Sequence, residues 1–211
     1  MDRAVTIFSS VFSNKAAGKD ELKAEIVRKV LHFLIALVPG MAAVNKMATV
    51  AVLMIGTLGY TLMEYLRLSG VRVPVISSLT GMASRPRDAG RFVMGPVTLG
   101  FGALLALLLY PSVAAAIAIY ALAFGDGIAS LGGKFFGKIR PSFLFGKSVE
   151  GSAACFAIVL FASYAVSGSI HVALTAAFVT MIAEALPLND YDNLVIPVTV
   201  GMAVQLTLNF L

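Results

Sequence analysis

The sequence predicts an all-α integral membrane protein, a polytopic helical bundle of about seven transmembrane helices with a cytoplasmic N-terminus. Of its 211 residues, 59% are hydrophobic and only 13% are charged, whereas about a quarter of the residues in soluble domains are charged. Long apolar runs recur along the chain, and basic residues collect in alternate loops between them. Because so little polar surface cannot cover a soluble globule, the outer surface must face lipid.

Seven apolar segments approach the roughly 20 residues that a helix needs to cross a bilayer. They are Val27–Val44, Met47–Leu66, Phe92–Tyr110, Ser112–Leu131, Val149–Val166, Ile170–Leu188 and Leu194–Leu211. Very short connections follow the first, third and fifth segments, at Asn45-Lys46, Tyr110-Pro111 and Ser167-Gly168-Ser169. These connections predict tight helical hairpins and leave no room for a soluble domain between the paired segments.

The N-terminal tail, residues 1–24, precedes a membrane-embedded domain predicted over residues 25–211. Val5, Phe8 and Phe12 recur at helical spacing, which predicts one face of a short helix lying at the membrane interface. The apolar run of the tail is short and no small-residue cleavage site follows it, so a signal peptide is not expected. The single cysteine, Cys155, lies in an apolar run and excludes a disulfide scaffold.

The distribution of charge predicts the orientation. Fifteen of the sixteen lysine and arginine residues lie on one predicted side of the membrane, and Lys46 is the exception. The positive-inside rule then predicts a cytoplasmic N-terminus and an external C-terminus. The net charge of +5 comes without any nucleic-acid-binding signature, so no nucleic-acid partner is expected.

Acidic residues collect at the same cytoplasmic side, at span ends and in loops. A transporter is expected to carry polar groups near the bilayer midplane or along a pathway. Because the ionisable residues instead lie on one membrane face, the sequence favours an enzyme that combines a charged cytosolic reagent with a membrane lipid.

The most informative stretch lies at the end of the fourth predicted span. Asp126 stands between two glycines, and two Gly-Lys pairs follow within twelve residues. Since glycine lets a backbone approach a ligand closely and aspartate can hold a hard cation, the stretch predicts a broken helix at a phosphate site. The candidate phosphate-binding residues here are Gly125, Gly127, Gly133, Lys134 and Lys138. The alternative is an ordinary helix end with a glycine cap and lysines at the lipid headgroups.

The fifth predicted span opens with Lys147, Ser148 and Glu150, followed by small residues. Ser148 is the expected N-cap, and a helix N-terminus beside a lysine favours phosphate binding. Taken alone, the segment fits a capped helix with an interfacial lysine equally well. A P-loop is excluded, because Pro141 stands where that motif requires its first glycine.

A polar cluster separates the sixth and seventh predicted spans. It consists of Asn189, Asp190, Tyr191, Asp192 and Asn193. Two acids and two amides suit a Mg²⁺ site completed by substrate phosphates, and a solvated turn is the alternative. Glu184 favours the metal site, because it precedes this cluster inside an apolar span.

Four polar residues share one face at the entry to the first span, since their spacing is i, i+3, i+4 and i+7. They are Glu25, Arg28, Lys29 and His32. The simpler interpretation is a charge stripe paired within the helix, with His32 as a hydrogen-bonded interior histidine. Glu64 and Arg67 form a similar i, i+3 pair at the end of the second span.

As an ordered set, these motifs resemble the CTP-dependent lipid kinase family, which includes dolichol kinase, phytol kinase and the fungal-type diacylglycerol kinase. The motifs are Glu25-x-x-Arg28-Lys29-x-x-His32, Gly95-Pro96-Val97, Gly125-Asp126 with the two Gly-Lys pairs, Lys147-Ser148-x-Glu150-Gly151-Ser152 and Asp192-Asn193. The resemblance covers roughly residues 25–200. The fold is also similar to the core of phosphatidate cytidylyltransferases, which use CTP differently.

The resemblance implies transfer of the γ-phosphate of CTP to the hydroxyl of a membrane lipid, with Mg²⁺ as cofactor. The acceptor would be a polyprenol, dolichol, phytol or diacylglycerol, and the products a lipid monophosphate and CDP. The resemblance assigns Asp126 and Asp192 to Mg²⁺ or base roles, and Glu150 and Asn193 to organising the site. It assigns phosphate binding to Lys134, Lys138 and Lys147.

The sequence leaves several alternatives open. Which of the two aspartates is the base and which the metal ligand is not decided. Supporting or substrate-side roles fall to Glu25, Arg28, Lys29, His32, Glu64 and Glu184. A phosphatidate cytidylyltransferase making CDP-diacylglycerol is the second candidate, and a seven-span transporter is the third.

Overall fold

The computed structural model describes residues 25–71, 73–74, 88 and 90–211. In this part of the chain all regular secondary structure is helical. The predicted all-α class is therefore confirmed for the described residues. The interfacial helix predicted at Val5, Phe8 and Phe12 lies outside them.

The helices are numbered α1 to α8 in chain order, with a π-helical segment between α4 and α5. They are α1 (25–35), α2 (Val38–Leu68), α3 (Gly95–Leu109), α4 (Ser112–Tyr120), the π-helix (Ala121–Asp126), α5 (Gly127–Phe135), α6 (Val149–Ser167), α7 (Ile170–Ala185) and α8 (Asp192–Phe210). Two short 3-10 turns, Ser142–Leu144 and Asn189–Tyr191, precede α6 and α8.

Among the described residues, four helical segments are long and apolar enough to cross a membrane. They are Val38–Leu68, Ser112–Phe135, Val149–Ser167 and Asn189–Phe210. The apolar helices α3 and α7 have only 15 and 16 residues, and a helix of that length spans about 24 Å of a hydrocarbon core about 30 Å thick. The first predicted span is interrupted by a turn at residues 36–37. The length and composition of the described helices thus support four crossings, and the seven predicted are not confirmed.

The boundary predicted between the first and second spans appears as a break inside α2. Asn45 has extended backbone angles, φ −153° and ψ 100°. Its side-chain Oδ1 accepts a hydrogen bond from the Ala48 N–H at 3.0 Å, so Asn45 caps the helical segment that follows. The sequence located this break correctly, because asparagine competes with the helix for backbone donors.

The chain divides into two compact units. The first comprises Met1–Leu31 with Leu62–Val93, and the second comprises His32–Thr61 with Met94–Leu211. Helices α3 to α8 and the π-helical segment all belong to the second unit.

The segment Ser112–Phe135 is the central helix of the second unit. Of the residues in its most apolar stretch, 67% are buried. The corresponding shares are 28% in α6 and 33% in Asn189–Phe210. Packed around it, α6 contacts α5 and α7, while α8 contacts α3, α4 and α7. Small side chains allow these close approaches. The completely buried alanines of the central helix are Ala114, Ala118 and Ala123.

Candidate functional site

Asp126 lies at the junction of the π-helical segment and α5. The π-helix runs over Ala121–Asp126, and Gly127 begins α5 without an intervening loop. The predicted broken helix is therefore wrong. The backbone stays helical and accommodates the junction by a change from α-type to π-type hydrogen bonding, an irregularity that is frequent at functional sites.

The carboxylate of Asp126 faces His32. Asp126 Oδ2 lies 3.2 Å from His32 Nδ1, and the two residues are only 7% and 9% exposed. A buried carboxylate is costly without a polar partner, and His32 provides one. The sequence correctly predicted an interior histidine, but it did not predict this pairing.

Phe33, near the start of the second unit, packs against the junction between the π-helix and α5. Phe33, next to His32, packs on Phe124 with ring centroids 6.1 Å apart. A Cβ atom on Gly127 would lie 2.9 Å from Phe33 Cε1, so only glycine fits at that position without a shift. The contact fixes the position of His32 relative to Asp126.

Lys147 and Glu184 form an ion pair between the start of α6 and the end of α7. Lys147 Nζ lies 2.7 Å from Glu184 Oε1 and also donates to the Glu184 backbone carbonyl. Glu184 is buried. Cys155 on α6 is close enough to Glu184, Lys147 and Asp126 to interact electrostatically with each of them.

The glycines predicted to approach a phosphate contact protein atoms. A Cβ on Gly125 would lie 2.7 Å from Thr180 Cγ2, and one on Gly133 would lie 2.9 Å from Ser148 Oγ. A Cβ on Gly151 would lie 2.7 Å from the Ala129 carbonyl oxygen, which is a backbone atom. These glycines hold α5, α6 and α7 close together, and a phosphate-binding role for them stays a prediction.

Two charged side chains organise the α5–α6 loop, residues 136–148. The Glu150 carboxylate accepts hydrogen bonds from the N–H groups of Lys138 and Ile139, at 3.0 and 3.2 Å. The Arg140 guanidinium donates to the carbonyls of Gly133 and Gly146, at 2.8 and 2.6 Å. These contacts order the loop, and the role of Glu150 in organising a phosphate site stays a prediction. Arg140 was missed because nothing in its sequence neighbourhood distinguishes it from a headgroup cation.

The predicted N-cap at Ser148 is confirmed. Its buried Oγ accepts a hydrogen bond from the Gly151 N–H at 3.1 Å. The cap fixes where α6 begins, and therefore where Lys147 meets α7. Lys134 and Lys138 are exposed near the other end of the same connection.

Asn193 links the starts of α8 and α3. Its Nδ2 donates to Thr98 Oγ1 at 3.0 Å and to the Gly95 carbonyl at 3.3 Å. Asp192 Oδ1 accepts a hydrogen bond from the Asn193 N–H at 2.8 Å. Asn193 therefore stabilises a helix junction, and the site-organising role predicted for it stays a prediction.

A magnesium ion carried by substrate phosphates stays a prediction for these residues. Within the described ranges, no group of three or more His, Cys, Asp or Glu side chains is arranged to hold a metal ion. Mg²⁺ usually takes only one or two carboxylates and obtains its other ligands from water and phosphates. The nearly buried Asp126 carboxylate suits that role, and Asp192 is the second carboxylate that the sequence offers.

Glu25 and Glu64 of the first compact unit have partners within that unit. Glu64 is fully buried, and its carboxylate accepts from Arg67 at 2.7 and 2.8 Å and from the Val93 N–H at 3.0 Å. Glu25 pairs with Arg28 and Lys29. Both predicted intrahelical pairings are confirmed, and these contacts suit a structural role for Glu25 and Glu64.

Comparison with known proteins found no matching family model, no matching curated protein and no matching solved structure.

Proposed function

We propose that this protein is a membrane lipid kinase that transfers the γ-phosphate of CTP to the hydroxyl of a lipid alcohol, giving a lipid monophosphate and CDP. The observation that carries the proposal is the nearly buried Asp126–His32 pair at the π/α5 junction. Ionisable groups inside an apolar bundle are expensive and are typical of functional sites. The ordered motif resemblance supplies the reaction class and the nucleotide.

Phosphoryl transfer requires an oriented acceptor and neutralisation of the phosphate charge. In the proposed mechanism Asp126 lies against the acceptor hydroxyl and takes its proton or orients it, while His32 holds the Asp126 carboxylate in place. Mg²⁺, when bound at Asp126 with Asp192 as the second candidate ligand, would neutralise charge on the phosphates. Lys134 and Lys138 add positive charge on the same side.

Lys147 has a positioning role in this proposal, because its ammonium group bonds Glu184. The pair joins the N-terminal end of α6 to the C-terminal end of α7. Glu150 and Arg140 fix the backbone between Lys134 and Lys147. The site is therefore held by side chain to backbone bonds that need no ligand.

We also propose seven membrane crossings, with the N-terminus and the active site on the cytoplasmic side. The short helices α3 and α7 then cross where the bilayer thins locally. The ends of α6 and α7 that carry Lys147 and Glu184 lie on the same side as the basic α5–α6 loop, and the Ser167–Ser169 connection lies on the other. This arrangement agrees with the positive-inside rule.

The decisive experiment follows the label from CTP into lipid. Purified full-length protein in nanodiscs would receive Mg²⁺, CTP labelled at either the γ- or the α-phosphate, and one lipid acceptor at a time: polyprenol, dolichol, phytol, diacylglycerol or phosphatidate. We expect γ-label in a lipid alcohol and none of the α-label. The α-label in lipid from phosphatidate would instead identify a cytidylyltransferase, and no labelled lipid with any acceptor would contradict both enzyme hypotheses.

A further inference from the structure

The connection between α5 and α6 exposes an unusual set of large apolar side chains. Five of them are between 61% and 73% exposed. They are Phe135, Phe136, Ile139, Phe143 and Phe145. Exposed apolar residues on a long helix are explained by lipid along its length, but most of these lie on irregular backbone between two helices, where that explanation does not apply. We call the segment 135–147 the aromatic loop.

Positive charge is interleaved with these rings. Residues 127–149 contain four basic residues and no acidic residue. Lys138 and Arg140 are exposed on either side of Ile139. The nearest following acid, Glu150, is turned toward the loop backbone and accepts hydrogen bonds from it. The exposed surface of the aromatic loop is therefore cationic and aromatic together.

Internal hydrogen bonds satisfy much of the backbone of the aromatic loop. The Arg140 guanidinium donates to two carbonyls, at Gly133 and Gly146. The Val149 N–H donates to the Ile139 carbonyl at 2.9 Å. Non-helical backbone at membrane depth requires such internal partners, because lipid offers none.

The backbone conformation of Phe145 is independent evidence that its ring has a function. Its φ of +51° lies in the left-handed region, which large side chains rarely adopt and glycine or asparagine adopt readily. The neighbouring Gly146, with φ +87°, completes the turn. An exposed phenyl ring held on strained backbone indicates a function for the ring, since a smaller residue would make the same turn more easily.

We infer that the aromatic loop is an interfacial anchor that lies in the headgroup layer of an anionic lipid leaflet. The rings reach the upper part of the acyl chains, and Lys138 and Arg140 lie at the lipid phosphates. Aromatic side chains favour this boundary because their apolar bodies leave water there. Clustered basic residues add attraction to anionic lipids. The inference concerns where the loop lies, so it does not depend on the kinase reaction.

The absence of tryptophan from the sequence makes a direct test available. Phe143→Trp introduces one fluorophore at an exposed ring position. The variant would be placed in nanodiscs that contain phosphatidylglycerol and lipids brominated either just below the headgroups or deep in the acyl chains, without nucleotide. We expect blue-shifted emission, and stronger quenching by the shallow bromines than by the deep ones.

Two further variants make the test specific. Phe161 lies within α6 and is 72% exposed, nearly the same as Phe143. In the Phe161→Trp variant we expect the deep bromines to quench more strongly than the shallow ones. Phe136→Trp provides a second reporter on the loop should the Phe143 variant fold poorly. Far-ultraviolet circular dichroism and size-exclusion profiles must match those of the unsubstituted chain.

The charge component is tested by replacing phosphatidylglycerol with phosphatidylcholine. We expect shallow quenching of the Phe143→Trp variant to fall, and the added substitution Lys138→Gln to reduce the difference between the two lipids. Water-like emission, or blue-shifted emission without bromine quenching, would overturn the anchor. Quenching that is equal in both lipids would overturn the assignment to an anionic leaflet. None of these results depends on CTP, so failure of the kinase proposal is distinguishable from failure of the anchor.

Discussion

His32 Nδ1 and Asp126 Oδ2 lie 3.2 Å apart inside the second compact unit, and neither residue has much access to solvent. This contact joins His32, the first residue of the unit, to the junction between the π-helix and α5. Since the low dielectric of an apolar bundle penalises buried polar groups without partners, the contact gives each of these two side chains a polar neighbour.

Asp126→Asn is therefore expected to lower lipid kinase activity by about a hundredfold or more, the usual loss for a group that acts in proton transfer. The amide has nearly the same size and can still face His32, so the thermal unfolding midpoint should change little. Labelled phosphate transfer and thermal unfolding in the same detergent would be measured together. Activity like that of the unsubstituted chain in a well-folded Asp126→Asn variant would remove Asp126 from the site.

Local signals in the sequence account for much of the fold. Asn45 and Ser148 each mark the start of a helical segment by capping it, and Gly168 ends α6 in the left-handed conformation that glycine favours. These features depend on only a few neighbouring residues. The helical class and most helix boundaries could therefore be predicted without knowledge of the packing.

The site could be predicted only in part, because its geometry depends on contacts between distant segments. Nothing near His32 in the sequence indicates that Asp126 will face it. The Gly-Lys pairs suggested close approach to a ligand, whereas Gly133 is packed against Ser148. A glycine pattern predicts close approach, but it does not identify the partner that approaches.

Close packing of α5 on α6 predicts a sharp difference between two glycine substitutions. Gly151→Ala should destabilise the protein by roughly 1–3 kcal/mol, the usual cost of overpacking, because the new Cβ would lie 2.7 Å from the Ala129 carbonyl oxygen. Gly56→Ala is the matched control, since no atom lies within 4 Å of its added Cβ and alanine is the better helix former. Unfolding in detergent titrations would be compared, and equal stability of the two variants would contradict the packing.

The Lys147–Glu184 ion pair predicts a coupled loss of stability. Glu184 is buried, so removing the Lys147 charge leaves a carboxylate without its ammonium partner. Lys147→Met and Glu184→Met should each lower the unfolding free energy by roughly 1–3 kcal/mol, as expected for loss of a charged hydrogen-bond partner. The double variant should lose less than the sum of the two. Strict additivity in this double-mutant cycle would show that the side chains do not interact.

The proposed topology predicts opposite accessibility for the two ends of α6. Single cysteines introduced by Ser142→Cys and Ser167→Cys would be treated with a membrane-impermeant maleimide in sealed vesicles of known orientation. The native Cys155 is completely buried and can stay in place. We expect Ser142→Cys to react from the cytoplasmic side and Ser167→Cys from the other side. Labelling of both from one side would contradict a membrane crossing by α6.

The family resemblance predicts a preference for CTP over ATP as phosphoryl donor. A tenfold preference corresponds to about 1.4 kcal/mol of free energy, within reach of one or two hydrogen bonds to the base. In the proposed reaction the lipid meets the nucleotide at the cytoplasmic interface, because Lys134 and Lys138 cannot lie deep in hydrocarbon at acceptable cost. A panel of CTP, UTP, GTP and ATP at equal Mg²⁺, with the Asp126→Asn variant as the background control, would measure lipid phosphorylation directly. Equal or faster reaction with ATP would contradict the nucleotide assignment, while the transfer of phosphate to lipid would still stand.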